Sequence, residues 1–155
     1  MAIASALKLQ DFLPYRLSVT SNIVSDVIAT AYERLFGLRI PEWRLIAVIA
    51  ESDGITQQAV GTTARMDKVT VSRAAIALFD RALIERHPNP SDGRSHLLYL
   101  TPTGRTLYEQ VAPKALELEA RIFTGFSNDE LQQLHKLLHK IDEAALAAIE
   151  TVTPK

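Results

Sequence analysis

The chain has 155 residues, of which 47 % are hydrophobic and 23 % charged, so a folded domain with a sizeable core is expected rather than a disordered chain. It contains no cysteine, which excludes a disulfide framework, a thiolate metal site and a cysteine redox switch. No apolar run approaches the length of a membrane span, and the first residues lack the charged and apolar blocks of a signal peptide. We therefore expect a cytoplasmic protein with no membrane association and no cofactor.

The net charge of −1 is the sum of charges that are distributed unevenly along the chain. Residues 61–105 hold seven lysines and arginines against four acidic residues, a net charge of +3, while the rest of the chain carries −4. A local excess of positive charge is what contact with a nucleic acid requires, and it matters more for such contact than the total. Chance clustering would also produce an excess of this size.

Two helices are predicted in the first third of the chain. Apolar residues spaced by three, four or seven predict a long helix over residues 10–36. Pro14 fits its first turn, and Gly37 is a suitable residue to end it. A second helix is predicted over residues 41–51, and Ser52-Asp53-Gly54 then breaks the pattern.

Two shorter helices follow, each with a residue that suits its N-cap. Thr56 precedes a predicted helix over residues 57–65, and Asp67 precedes a helix that runs to about Ala82. The apolar spacing places the core side of this fourth helix on one face. Its first turns are then expected to expose four polar residues, Lys68, Thr70, Ser72 and Arg73.

A small β-hairpin is predicted next. Residues 83–86 and 95–101 have the composition of short strands, and residues 87–94 between them read as a loop. Asp92-Gly93 within this segment is a hairpin-turn signal. Helices followed by a hairpin in this order are typical of a winged helix-turn-helix, a module that often binds DNA.

The chain ends with two more predicted helices. One runs from about residue 102 to residue 126, with a kink expected at Pro113, and the last begins after a cap at Ser127. The last helix carries apolar residues at alternating spacings of three and four for over two heptads. The first and last helices are too long and apolar to be covered by a small winged module. A homodimer is expected to bury them, the alternative being that they pack on each other within one chain.

The predicted fold class is therefore mainly α with a small β-hairpin. We assign residues 38–101 to a winged helix-turn-helix, and residues 8–37 and 102–150 to dimerisation helices. With no internal repeat and no low-complexity linker, the whole chain, 1–155, is predicted to form a single domain.

Three segments give the chain a resemblance to the MarR family of bacterial transcriptional regulators. They are DKVTVSRAAIALFDRALIER (residues 67–86), Asp92-Gly93-Arg94, and LLYLTPTGR (residues 97–105). They match the family's recognition helix, its Asp-x-Arg wing and its leucine-threonine-x-x-glycine run, in order and at suitable spacing. Ala82 departs from the pattern, because the family often has glycine between recognition helix and strand.

The resemblance implies a dimeric repressor that binds a near-palindromic operator in double-stranded DNA. The recognition helix would enter the major groove, and a wing arginine would enter the narrow, negative minor groove. Asp92 would orient a nearby arginine. Carried over to this sequence, the DNA-binding residues are Lys68, Thr70, Ser72, Arg73, Arg86, Asp92 and Arg94.

Family members often bind a small aromatic or phenolic carboxylate, or a related thioester, and then release DNA. Aromatic side chains would stack on such an effector, and a guanidinium would pair with its anion. Trp43 is more typical of a core residue than of a ligand contact. The residues that we assign to this pocket are Tyr15, Arg16, Arg39, Trp43 and Arg44.

Two other classes of function are weighed against a DNA-binding regulator. The first is a metal-dependent enzyme, since His135 and His139 share a helix face. Lys136, Leu137 and Leu138 lie between them, so the glutamate of a zinc-protease helix is missing, and a solvated helix face is favoured. The second is a winged-helix module that binds a protein and no DNA.

Overall fold

The computed structural model describes residues 6–152, so both ends of the predicted single domain, 1–5 and 153–155, lie outside the described residues. Six α-helices and a three-stranded antiparallel sheet make up the described chain, which confirms the predicted fold class. The chain forms two compact units, one ending at Leu118 and the other beginning at Glu119. A single domain stays a prediction. No helix among residues 6–152 is long and apolar enough to cross a membrane.

Helices α1 (Leu13–Phe36) and α2 (Ile40–Ala50) follow a short 3-10 turn at Leu9–Asp11. Gly37 ends α1 in the left-handed conformation (φ 61°), and its N–H donates to the Glu33 carbonyl at 3.0 Å. This confirms the predicted helix and its end. Helix α2 contributes three buried side chains to the core, Leu45, Ile46 and Ile49.

Helices α3 (Gln57–Ala64) and α4 (Lys68–Asp80) form the helix-turn-helix. The Thr56 hydroxyl accepts the Ala59 N–H at 3.1 Å, so the predicted cap of α3 is confirmed. Helix α4 buries one face, formed by Val71, Ala74, Ala75 and Leu78.

The hairpin is longer than predicted. Strand β2 is Ile84–Asn89 and strand β3 is Asp92–Leu100, so only residues 90 and 91 connect them. The predicted loop over residues 87–94 is therefore wrong, and so is the turn at Asp92-Gly93, which lies at the start of β3. Pro88 is tolerated because β2 is an edge strand, and the register shifts after it.

A third strand, β1 (Ile55–Thr56), was not predicted. It pairs antiparallel with β3, so the sheet order is β1-β3-β2. Two residues are too few to show alternation of apolar and polar side chains, and the sequence therefore gave no strand signal there.

The junction between α4 and β2 is built on a left-handed alanine. Helix α4 ends at Asp80 rather than Ala82, and Ala82 has φ 53°. The Leu83 N–H reaches back to the Leu78 carbonyl at 2.9 Å, and the Thr101 hydroxyl donates to the Ala82 carbonyl at 2.7 Å. The backbone thus keeps the conformation that glycine favours, although alanine occupies the position.

Ala82→Gly is expected to stabilise the protein by about 1 kcal/mol. Alanine in the left-handed region costs about 1–2 kcal/mol, and the greater unfolded-state entropy of glycine offsets only part of the strain that the substitution removes. The Ala82 side chain is exposed, so no buried contact is lost. Thermal unfolding should show a rise in Tm. Ala120→Gly, at an exposed position inside a regular helix, should lower Tm instead; a fall in Tm for both variants would contradict the strain at Ala82.

Helices α5 (Pro102–Ile122) and α6 (Asn128–Val152) complete the chain. Helix α5 ends four residues earlier than predicted, and the kink expected at Pro113 stays a prediction. The Glu130 N–H donates to the Ser127 hydroxyl at 3.2 Å, while the Ser127 N–H donates to the Glu130 carboxylate at 2.8 Å. The predicted cap of α6 is therefore a complete capping box. Helix α6 exposes large apolar side chains, among them Leu137, Leu138, Ile141, Leu146 and Ile149.

Candidate nucleic-acid interface

The first turns of α4 present polar and cationic side chains away from the core, as predicted. Lys68 and Arg73 are exposed, and Thr70 and Ser72 are half-buried. These residues stay outside because Val71 and Ala74 fill the buried face at helical spacing. The exposed end of the helix can therefore approach a negatively charged surface without rearranging the core.

Thr70 takes part in the N-terminal cap of α4 through two hydrogen bonds to Asp67. Its N–H donates to Asp67 Oδ1 at 2.8 Å, and its hydroxyl donates to Asp67 Oδ2 at 2.7 Å. The hydroxyl proton is therefore used within the protein, and only the oxygen lone pairs of Thr70 face outward. This pairing holds the start of α4 in one conformation.

The hydrogen bonds from the side chain and the backbone of Thr70 lower the pKa of Asp67 below its ordinary value of 3.8. A carboxyl with a lowered pKa in the folded state stabilises the fold above its unfolded pKa, and this stabilisation is lost as the pH falls through the folded pKa. The cap is therefore fully formed at neutral pH and weakens only below about pH 4.

Asp67→Asn is expected to lower Tm at pH 7, because the amide replaces a charged acceptor at a helix N-terminus with a neutral one. The difference in Tm from the native chain should shrink as the pH falls below 3.8. Thr56→Ala removes the uncharged cap of α3, and its effect should not change with pH. A constant Tm difference for Asp67→Asn down to pH 2.5 would contradict the charge-assisted cap.

The wing is held by side chains at its tip. Asp92 Oδ1 accepts the backbone N–H of Arg94 at 3.0 Å, and Asn89 Nδ2 donates to the Ser95 hydroxyl at 2.9 Å. Asp92 was predicted to orient an arginine, and in the structure it fixes the backbone of Arg94. The Arg94 side chain is exposed.

A groove of about 370 Å³ runs between α3 and the wing, and both wing arginines line it. Arg86 lies over the Phe79 ring, with its guanidinium carbon 5.8 Å from the ring centre, and Arg94 lines the same groove. A neighbouring groove of about 510 Å³ brings Lys68 against α3. Positive side chains from α4, β2 and β3 therefore line two grooves that share residues of α3.

Helix α3 adds residues to these grooves that were not predicted. Gln57 and Gln58 line both grooves, and Thr62 lines the one that contains Lys68. Amides and hydroxyls of this kind contact phosphates and base edges in many protein–DNA complexes. A short helix with mixed polar residues has no pattern that separates a binding face from an ordinary solvated face, so the sequence could not single them out.

The residues predicted to form an effector pocket lie in different environments. Trp43 stacks on Tyr108 with ring centres 5.8 Å apart and meets the Tyr32 ring edge-on at 5.6 Å. It packs against the hydrophobic core, and burial raises the pKa of Tyr32. Trp43 thus packs with the core, as expected for a tryptophan at this position.

The arginines of the predicted pocket are exposed. Arg39 Nε lies 3.4 Å from Glu42 Oε1, and Arg39 lines a cavity of about 180 Å³ together with Thr70 and Arg73. Arg44 is exposed on α2. Tyr15, half-buried, and Arg16, exposed, lie in the first turn of α1. Arg39 is therefore placed beside α4, and the effector pocket stays a prediction.

These elements define a winged helix-turn-helix protein with a cationic helix and wing. The model of the MarR family matches residues 36–95. The repressor IacR of Pseudomonas putida, described as an HTH-type transcriptional repressor, is 24 % identical over 104 residues, which cover 67 % of this chain and 62 % of that protein. The match thus spans less than two thirds of that relative's length.

Solved structures agree over nearly the whole chain. A MarR/EmrR family transcriptional regulator from Acinetobacter sp. ADP1 is 27 % identical with a TM-score of 0.83, covering 90 % of this chain and 98 % of that one. CouR from Rhodococcus jostii RHA1, solved bound to p-coumaroyl-CoA, is 25 % identical with a TM-score of 0.77, covering 88 % and 95 %. The chain is thus similar to MarR-family transcriptional regulators, through residues 36–95 in the family model and over most of its length in fold.

Proposed function

We propose that the protein is a dimeric transcriptional regulator that binds a near-palindromic operator and represses transcription. The observation that carries this proposal is the convergence of exposed cations from α4 and the wing on neighbouring grooves. Lys68 lies in one groove, and Arg86 and Arg94 lie in the next. Phosphate contacts by such residues dominate the affinity of proteins for DNA.

The recognition helix is suited to the major groove. Its capped N-terminus carries a partial positive charge, and Lys68 and Arg73 are exposed near it. An arginine forms two hydrogen bonds with the major-groove edge of guanine, which makes Arg73 the candidate for direct base recognition. Ser72 and the free lone pairs of Thr70 supply further polar contacts.

The wing is suited to the minor groove. Arg94 lies at the start of β3, and its backbone N–H is anchored by Asp92. An arginine held on a rigid hairpin loses little conformational freedom when it enters a narrow, negative groove. Arg86, partly covered by Phe79, is placed to contact the phosphates beside it.

A dimer would pair two such modules. Helix α6 leaves a series of large apolar side chains exposed, and α1 does the same with Leu13, Leu17, Ile23, Val27 and Leu35. Exposing this many large apolar side chains to water is unfavourable, and contact with a second copy of the chain would bury them. Two-fold symmetry of the protein would then be matched by an inverted repeat in the DNA.

We further propose that a small aromatic or phenolic acid, or its thioester, releases the DNA. The relative CouR was solved with p-coumaroyl-CoA, a thioester of this class. The exposed guanidinium of Arg39 beside Thr70 and Arg73 would let an anion there alter the recognition helix directly. Titration of aromatic acids and thioesters, monitored by release of labelled DNA, tests this. No release by any of them, or identical release from Arg39→Ala, would exclude the assignment of Arg39.

The salt dependence of DNA binding tests the proposal as a whole. Contact with about six phosphates or more should reduce affinity for duplex DNA by about 1000-fold between 50 and 200 mM salt, because each contact releases bound counterions. A winged-helix module that recognises a protein instead would show little binding to duplex DNA at either salt concentration. The second result would exclude DNA as the partner.

A further inference from the structure

The outermost line of the recognition helix is partly apolar. Successive residues of an α-helix are rotated by about 100°. The buried residues Val71, Ala74, Ala75 and Leu78 lie on one side, so the line directly opposite consists of Val69, Arg73, Ile76 and, in the last turn, Asp80. Lys68 and Thr70 lie on its two flanks. The polar residues at the start of α4 therefore border this line rather than fill it.

The side chain of Val69 is largely exposed to solvent, although valine is apolar. Its side chain is 59 % exposed, although it occupies the second position of a well-capped helix whose other valine, Val71, is 2 % exposed. Valine has a lower helix propensity than alanine, and an exposed valine contributes no stabilisation by burial in the free protein. A partner that supplies an apolar contact would offset both costs.

The surroundings of Val69 restrict the chemistry of that partner. Lys68 precedes it and Arg73 lies one turn further on the same face, and both are exposed cations. A surface with an apolar centre and cationic edges matches the floor of the major groove, where the thymine C5-methyl group is the apolar feature and phosphates line both rims. A purely apolar protein groove would leave both cations without partners.

The position of Val69 along α4 selects it over Ile76, which is 57 % exposed. The N-terminal residues of a recognition helix are those that reach base edges, whereas later residues pass out of the groove. Val69 lies in the first turn and Ile76 more than one turn beyond it. We propose that Val69 reads a thymine in each half-site through its C5-methyl group. This inference rests on the proposed function.

Deoxyuridine substitution tests the proposal, because deoxyuridine lacks only the methyl group of thymidine. Each thymine of a selected operator half-site is replaced in turn by deoxyuridine, and affinities are measured for the native chain, Val69→Ala and Ile76→Ala. One substitution should weaken binding of the native chain about fourfold, the effect of losing one buried methyl group. Val69→Ala should bind the thymine and deoxyuridine duplexes equally at that position, while Ile76→Ala should keep the fourfold difference.

The outcomes separate the inference from the function on which it rests. If an operator is selected but no deoxyuridine substitution weakens binding of the native chain, the methyl contact does not exist. The proposed function as a regulator is then retained. If Val69→Ala keeps the difference between thymine and deoxyuridine, another residue reads the methyl group and the assignment to Val69 fails. If no duplex sequence is selected at all, the proposed function fails, and the inference fails with it. Unchanged Tm for Val69→Ala shows that the comparison is made on folded protein.

Discussion

Arg94→Ala is expected to weaken operator binding by about 2 kcal/mol, or about 30-fold, at each half-site. A symmetric dimer loses both contacts, so the combined effect approaches 1000-fold by the same estimate. The slope of log affinity against log salt should also become shallower by about 1 for each arginine removed. The reason is structural: the Arg94 side chain is exposed while its backbone is held by Asp92, so truncation removes a contact without disturbing the wing.

Binding isotherms at several salt concentrations measure both quantities. Arg34→Ala is a matched control, because Arg34 is an exposed arginine in the last turn of α1 and lies outside the helix-turn-helix and the wing. It should change neither affinity nor slope by more than a small amount. Equal effects of the two variants would mean that the net charge of the protein, and not a wing contact, governs binding.

Gly104→Ala is expected to destabilise the protein by about 3 kcal/mol or more, lowering Tm by about 10 °C. A Cβ at residue 104 would overlap the carbonyl of Leu83, which is backbone and cannot move aside as a side chain would. The Gly104 N–H also donates to the Thr101 hydroxyl at 3.0 Å, and that hydroxyl donates in turn to the Ala82 carbonyl. The substitution would therefore separate the start of α5 from the base of the wing.

Thermal or denaturant unfolding checks this prediction. Gly125→Ala is the matched control, because a Cβ at residue 125 meets no heavy atom within 4 Å. Thr101→Val removes the shared hydroxyl without adding volume at residue 104, and should cost about 1–2 kcal/mol. A Gly104→Ala protein as stable as Gly125→Ala would show that α5 does not pack tightly on this junction.

The helices could be predicted because their ends carry chemistry that acts locally. Asp67 and Ser127 each cap a helix through a bond three residues away, and Gly37 supplies the left-handed end of α1. Such signals depend on near neighbours in the chain, so they can be recognised without knowing the tertiary structure. The helix bounds accordingly fall close to their predicted positions, with α5 the largest departure.

The wing was predicted to exist, but its shape was not. Asp92-Gly93 suggested the turn, yet Asn89 pairs with Asp92 across the hairpin and residues 90 and 91 connect the strands. The Asn89 side chain accepts the Ser91 N–H at 3.0 Å, which stabilises this tighter turn. Pro88 also argued against a strand, and only the position of β2 at the sheet edge makes it acceptable.

The candidate site was predicted in part. Polarity identified Lys68 and Arg73 as exposed, but it gives no signal for Val69, which is apolar and was not among the predicted site residues. Rotation by about 160° between Val69 and Val71 already places them on opposite sides of one helix. The groove residues Gln57 and Gln58 depend on the packing of α3 against the wing, which no local pattern encodes.

Selection of bound duplexes from a random DNA pool at moderate salt tests whether this protein recognises a specific operator as a dimer. A dimeric, sequence-specific regulator should enrich an inverted repeat whose half-sites are about one helical turn apart. Arg94→Ala should enrich the same sequence far less strongly. Failure to enrich any sequence, with binding that is weak and equal for all duplexes, would show that this protein is not an operator-binding regulator.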